Sequence, residues 1–271
     1  MINHDYHIHT TFSTDGKSAM EEALLAAKNR SLRTICFTEH MDYDNPYDEG
    51  PGAFILDTDS YLSKFQELSN KYCTKDFQAG FGVEIGLQPH LSDFYSDYLD
   101  KYPFDFCIGS THVASNMDPA LPAYFDSFKT NEAAYRNYFE TELENAHAIS
   151  SYDVFGHIDY VLRYSKGRIK TFAYEEYEDV LDELLRTIVG DGKGIEINTA
   201  GLRKGLEYPN PHPSILKRYR ELGGEIITVG SDAHSAKDIA KDFDRAEEIL
   251  KSAGFKYYTI FQERKPKFLK L

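Results

Sequence analysis

Seven times along this chain a short β-prone run is followed by a longer stretch of helical character. Strands are expected at residues 2–8, 34–38, 79–84, 105–110, 153–156, 194–198 and 225–229, with an eighth candidate at 257–261. Helices are expected near 19–31, 59–73, 92–101, 131–150, 174–190, 212–222 and 236–253. Such alternation builds a parallel sheet, either doubly wound or closed into a barrel. Within 131–150, Ala134, Tyr135, Tyr138, Phe139, Glu142 and Ala146 recur at three- and four-residue steps, with Glu142 interrupting an otherwise apolar face. Ser235 is placed to cap the last helix and Gly254 to stop it.

The polar residues choose between the two architectures. His7 and His9 end the first strand, His40 follows the second, Glu84 ends the third, His112 follows the fourth, His157 the fifth, and Asp232 and His234 the seventh. In a closed parallel barrel these strand ends meet at one face, where active sites sit. An open sheet would spread them along a line. The expected fold is therefore a distorted (β/α)7, TIM-like barrel, one domain over residues 1–271. Residues i and i+2 of an extended chain point the same way, so His7 with His9, and Asp232 with His234, can each reach one shared pocket. Six of ten histidines in one topological position, with carboxylates and no thiolate, predict a catalytic site for Zn, Mn or Fe.

With 44 acidic and 30 basic residues the formal charge is −14, which argues against nonspecific nucleic-acid binding. Cys36, Cys73 and Cys107 are scattered and form neither a disulfide framework nor a paired-thiol metal motif. With no signal-like N-terminus and no long apolar run, the reading is of a cytoplasmic protein without a membrane span.

Asp5-x-His7-x-His9-Thr10, Thr38-Glu39-His40, Glu84, His112, Gly156-His157 and Ser231-Asp232-Ala233-His234 resemble, in order and spacing, the motifs of the polymerase and histidinol phosphatase (PHP) superfamily. The resemblance spans essentially the whole chain. It implies a cluster of two to three divalent ions: His7, His9, Glu84 and Asp232 on the first; Glu84, His112 and His157 on the second; Asp15, His40 and His234 on the third. Asp15 stands where some relatives carry a histidine, which makes the third site more oxygen-rich. Asp5 and Glu39 flank ligands and are expected to hydrogen-bond a ligand imidazole. Asp159, two residues after His157, is a further candidate for that role.

Three divalent ions against three carboxylates leave positive charge for a hydroxide and a doubly charged phosphate monoester. The expected reaction is attack on phosphorus by a hydroxide bridging the first two metals, with no nucleophilic side chain. Gly156–Arg163 and Glu196–Arg203, the latter followed by Tyr208-Pro209, are similar to segments of the histidinol-phosphate phosphatase branch. That likeness implies hydrolysis of L-histidinol phosphate, late in histidine biosynthesis. Arg163 and Arg203 lie just beyond strands five and six, and their planar guanidinium forks suit a phosphoryl group. The acidic insert 41–59, with Asp42, Asp44, Asp48 and Glu49, and the segment 86–93 are candidates to meet a cationic amine, and His90 and His212 are candidate substrate residues. The rival within the superfamily is a phosphoesterase acting on a nucleotide or nucleic acid, which would want a basic groove. An amidohydrolase would want a bridging lysine motif, which is not found. A domain kept for structure alone would have lost ligands.

Overall fold

The computed structural model describes residues 1–46, 52–165 and 172–271. Seven parallel strands, β1 (His4–Ile8), β2 (Thr34–Met41), β3 (Gln78–Gly86), β4 (Phe106–Ser110), β5 (Val154–Phe155), β6 (Gly194–Asn198) and β7 (Ile227–Gly230), pair in sequence order. The sheet curls until β7 meets β1 through a single parallel bridge, Ile8 to Ala233, with His9 N donating to Ala233 O at 3.0 Å. The expected (β/α)7 barrel is therefore present. The Asp232 and His234 segment lies at this seam.

Around the sheet run α1 (Met20–Asn29), α2 (Thr58–Tyr72), α3 (Ser92–Lys101), α4 (Pro122–Asp126), α5 (Asn131–Ala148), α6 (Glu178–Gly190), α7 (Ala200–Arg203), α8 (Pro213–Glu221) and α9 (Phe243–Ser252). Local chemistry sets several starts. Asp57 accepts from Ser60 N before α2, and Thr130 from Ala133 N before α5. Pro213 opens α8 with its φ already helical. Because helices cover the outer face and side chains fill the inner one, every residue of β1, β4, β5, β6 and β7 is buried.

The barrel interior has two levels. Tyr6, Cys36, Phe106, Ile108 and Val154 form an apolar lower cluster. Above it, on the same inward-facing alternation, come Glu84, Ser110, Glu196 and Asn198. β1 slips its register with β2 between Asp5 and Ile8. This irregularity lets Tyr6 join the lower cluster while His7 and His9 serve the mouth, since a bulge re-aims a side chain. Gly230 permits the same crowding: a Cβ there would collide with His7.

Near the C-terminus one expectation holds and one fails. The eighth strand candidate is a strand, and it lies outside the seven-stranded barrel sheet. β8 (Tyr257–Gln262) pairs antiparallel with β9 (Lys265–Lys270), and the hairpin plugs the lower end, with Phe261 in the apolar cluster and its carbonyl accepting from Tyr6 Oη at 2.8 Å. The single helix over 236–253 is broken. Ala236–Asp238 is a 3₁₀ turn, Ala240 and Asp242 take positive φ, and α9 begins only at Phe243, so Ser235 caps nothing through its side chain. Asp5 Oδ2 draws Ala240 N to 2.8 Å, a tertiary bond that overrides local helical preference. Gly254, at φ +92°, ends α9 as expected.

Glu142, which breaks the apolar stripe of α5, is buried, and neither of its oxygens has a hydrogen-bond partner. The nearby Tyr138 hydroxyl donates to Thr111 O instead. Burial, reinforced by the Asp159 charge, holds the carboxyl well above its usual range. The folded protein thus keeps a proton that the unfolded chain releases. The contribution is fully favourable below the unfolded carboxyl value and declines as pH rises toward the folded one, at about 1.4 kcal/mol per pH unit. Glu142→Gln is expected to melt several degrees above wild type at pH 8, with the gap closing as pH approaches 4.5. Thermal denaturation across that range is the check.

Candidate metal centre

All nine sequence-derived donors converge at the upper mouth. Glu84 is the hub, fully buried at the end of β3. Its Oε2 lies 3.1 Å from His7 Nε2, 3.3 Å from His9 Nε2 and 3.1 Å from His40 Nδ1. Its Oε1 lies 3.4 Å from His112 Nε2 and 3.2 Å from His157 Nε2, and accepts from Ser110 Oγ at 2.6 Å. Asp232 Oδ1 approaches His9 at 3.6 Å and His7 at 3.9 Å. Asp15 completes the outer edge, 2.8 Å from His234 Nε2 and 3.8 Å from His40 Nε2. His40 thus turns one ring nitrogen to Glu84 and the other to Asp15, joining the inner donors to the outer ones.

Three sets of donor atoms lie within 4.8 Å of one another: His7, His9 and Asp232; His40, Glu84 and His112; and His9, His40 and His234. The donor chemistry fits divalent cations. The Nε2 atoms of His7 and His9 stand 3.0 Å apart. Two nitrogens each about 2.0–2.1 Å from one ion would lie roughly 2.9–3.4 Å apart, whereas two bare lone pairs repel at that range. Glu84 Oε2 and His40 Nδ1 are buried without a hydrogen bond of normal geometry, as ligand atoms awaiting a cation would be.

Electrostatics hold the carboxylates ionised. Burial would raise the Glu84 pKa, but the imidazoles of His7, His112 and His40 drive it well below its usual range. Asp232 is held low against burial by His7, Arg163 and His234. Conversely, burial disfavours the His7 and His112 cations, yet Glu196 and Glu84 raise His7, and Asp42 and Glu84 raise His112. His40 is pushed up to about 9, Glu84 and Asp15 prevailing over burial. His9, crowded by burial and by His40 and His234, is lowered instead.

The supporting carboxylates differ from those expected. Asp5 bonds no imidazole. It accepts from Ser231 N, Ser231 Oγ and Ala240 N, tying the seam to β1. Glu39 accepts from Thr10 N and Oγ1 and from Ser13 Oγ, and it is Ser13 that meets His9 Nδ1, at 3.2 Å. The residue that orients His7 is Glu196, its Oε2 2.9 Å from His7 Nδ1, and Asp42 does the same for His112 at 2.8 Å. Both sit two residues from another inward-facing group, Asn198 and His40, so the alternation that revealed His7 and His9 also marks them. Asp42 is buried and already engaged, and Asp44 pairs with the exposed His90 at 2.9 Å. Asp48 and Glu49 lie outside the described residues.

Arg163 and Arg203 both reach the active face, and both hold the Asp232 segment. Arg163 is buried. It donates from Nη1 to Asp232 Oδ2 at 3.1 Å, from Nη2 to Asn198 Oδ1 at 3.0 Å and from Nε to Asn210 Oδ1 at 2.7 Å. Asn198 in turn donates to Glu196 Oε1 and Asp232 Oδ2, linking the His7 support to the Asp232 support. Arg203 Nη2 donates to Ser231 O and Asp232 O. These bonds pin Asp232 at φ +52°, a left-handed conformation that a non-glycine residue adopts at a cost. Asp159 accepts from Asn210 Nδ2 and His212 N rather than from a ligand ring, and His212 caps α8. A cavity of about 600 Å³ opens above the cluster, with Arg163, Arg203, Tyr160, Tyr164 and Asp118 in its walls.

The PHP domain model matches residues 5–200. The chain is 35% identical over 264 residues to a probable histidinol-phosphatase of Clostridium acetobutylicum, an overlap covering 97% of this chain and 98% of that protein. It is 30% identical to the histidinol-phosphatase of Lactococcus lactis, covering 96% and 95%. Among solved structures, a crystal structure of the Lactococcus lactis histidinol phosphate phosphatase complexed with zinc, L-histidinol and phosphate superposes with TM-score 0.88 at 29% identity, covering 98% of each chain.

Proposed function

The chain belongs to the PHP domain family, and from that premise we propose that it is a metal-dependent phosphomonoesterase that hydrolyses L-histidinol phosphate to L-histidinol and phosphate, a late step of histidine biosynthesis. The observation that carries this reading is likeness to histidinol-phosphatases along essentially the full chain, supported by imidazole and carboxylate groups gathered closely enough to hold metal ions.

His7, His9, Glu84 and Asp232 would hold one ion, Glu84, His112 and His157 a second, and Asp15, His40 and His234 a third. The mixed imidazole and carboxylate set suits Zn, Mn or Fe. When bound, such ions supply an activated water near neutral pH and positive charge for phosphoryl oxygens. The protein's own part is orientation. Ser110 fixes Glu84 so that its two oxygens face different imidazole groups. Glu196 and Asp42 set the ring planes of His7 and His112. Arg163 and Arg203, lining the cavity, would grip the phosphoryl group while anchoring Asp232, so substrate binding and ligand placement share the same guanidinium groups. The free thiols of Cys36, Cys73 and Cys107 fit a reducing, cytoplasmic setting.

The test is phosphate release from L-histidinol phosphate by the purified protein, lost on chelation and restored by Mn, Fe or Zn. Activity on single-stranded DNA with none on histidinol phosphate would overturn the reading. Protonated imidazoles cannot ligate, and His7, His40 and His112 are all raised. Metal uptake should therefore release protons, and apparent affinity should climb steadily from pH 6 to pH 9. Calorimetric titration in buffers of different ionisation enthalpy measures that release.

A further inference from the structure

Among the described residues six carboxylates line the cavity: Asp15, Asp42, Glu84, Asp118, Asp232 and Asp238. Five of them already face a cationic or imidazole group. Asp15 meets His234, Asp42 meets His112, Glu84 meets the ligand histidines, Asp232 meets Arg163, and Asp238 meets Lys241 at 3.6 Å. Among the described residues Asp118 makes no ion pair within 4 Å, and the His112 imidazole acts on it only from farther off. Its Oδ1 accepts from Ala120 N at 2.7 Å, closing a local turn between β4 and α4.

The surroundings of Asp118 favour a cation. Burial raises its pKa, so part of its hydration is already lost, and a positively charged group arriving there would face a carboxylate with less water to displace. Tyr160 is close enough for the two to perturb each other electrostatically. The Tyr160 ring stands 4.9 Å from that of His157 and 5.1 Å from that of Tyr164, and carries the Arg163 guanidinium 5.1 Å from its centroid. An aromatic wall thus runs from the candidate ligands toward the acidic side of the cavity. Such a wall tolerates a cation as well as a flat ring.

Resting on the functional reading above, we propose that Asp118 receives the ammonium group of the substrate and so selects an amino-alcohol phosphate over an uncharged phosphate monoester. Histidinol phosphate carries its ammonium on the carbon beside the ester methylene. A phosphoryl group held by the metal ligands and arginines would then leave the amine to meet Asp118 in the cavity lining. Of the insert's acidic residues that are described, Asp42 is committed to His112 and Asp44 to His90.

A purely local role for Asp118, closing its turn, is separable by substitution. Asp118→Asn keeps the Oδ1 acceptor and removes the charge, while Asp118→Ala removes both. The measurement is the ratio of kcat/KM on L-histidinol phosphate to kcat/KM on 4-nitrophenyl phosphate, with the inhibition constant of L-histidinol and bound metal determined on the same preparations. The expected result is a fall in that ratio of about ten-fold or more in both variants, a charge-assisted hydrogen bond being lost, with L-histidinol inhibition weakened in parallel and metal content equal to wild type. A ratio retained in Asp118→Asn would overturn the proposal while leaving the phosphatase reading intact. A wild-type enzyme that shows no preference for histidinol phosphate would overturn both.

Discussion

Glu84→Gln is expected to abolish turnover for practical purposes, with kcat/KM on histidinol phosphate down about a thousandfold or more and bound metal clearly reduced. The two oxygens of the fully buried Glu84 face separate imidazole groups, Oε2 toward His7, His9 and His40 and Oε1 toward His112 and His157. An amide presents one oxygen and one N–H pair, so one of those groups would meet a donor where it now meets an acceptor. It also deletes the buried negative charge that balances the cluster. Losing the charge stabilisation of an ion is worth several kcal/mol, and each 1.4 kcal/mol is about ten-fold in rate. Metal analysis by mass spectrometry, kinetics and circular dichroism on one preparation separate this from unfolding. A folded Glu84→Gln protein with full metal content and near-normal turnover would contradict the bridging role.

Glu196→Gln is expected to behave differently. Glu196 touches His7 Nδ1, His157 N and Asn198 Nδ2, and so acts behind the ligand. A carboxylate on the far nitrogen of a ligating imidazole fixes its tautomer and ring plane, and loss of such a partner typically weakens metal affinity about 10–100-fold. Chelator competition should report that weakening, and excess metal should recover most of kcat. Recovery by metal distinguishes a positioning residue from Glu84, whose loss no metal concentration repairs. An unchanged affinity in Glu196→Gln would mean that His7 is held in place by packing alone.

The barrel and eight of the nine candidate donors were legible in the sequence for one physical reason, whereas Asp15, in the turn between β1 and α1, was suggested only by the family resemblance. A buried catalytic ion demands rare side chains at fixed strand ends, and period-two alternation places them. The supporting groups were harder to read because their partners are remote in sequence. Glu196 and His7 are 189 positions apart, and Asp5 reaches forward 235 positions to Ala240. That second bond also explains the false helix start at Ser235: the tertiary contact bends the chain where local pattern favours continuation. β8 was legible as a strand, but its partner β9 escaped notice because the turn between them is made by Glu263 and Arg264, both at positive φ, with no glycine or asparagine to announce it. Asp105 and Asp153 stabilise that turn from the barrel floor, accepting from Glu263 N and Arg264 Nε. Arg163 and Arg203 were found by chemistry, but their grip on Asp232 depends on Asn198 and on the seam geometry, neither of which a linear motif encodes.

The most direct test of the whole account is anomalous diffraction from crystals of the metal-loaded protein, recorded on either side of the metal's absorption edge. Two or three peaks should appear at the upper barrel mouth, one on each side of the Glu84 carboxylate and any third between Asp15 and His234. A map with no peak among these side chains, from protein that still releases phosphate from histidinol phosphate, would contradict it.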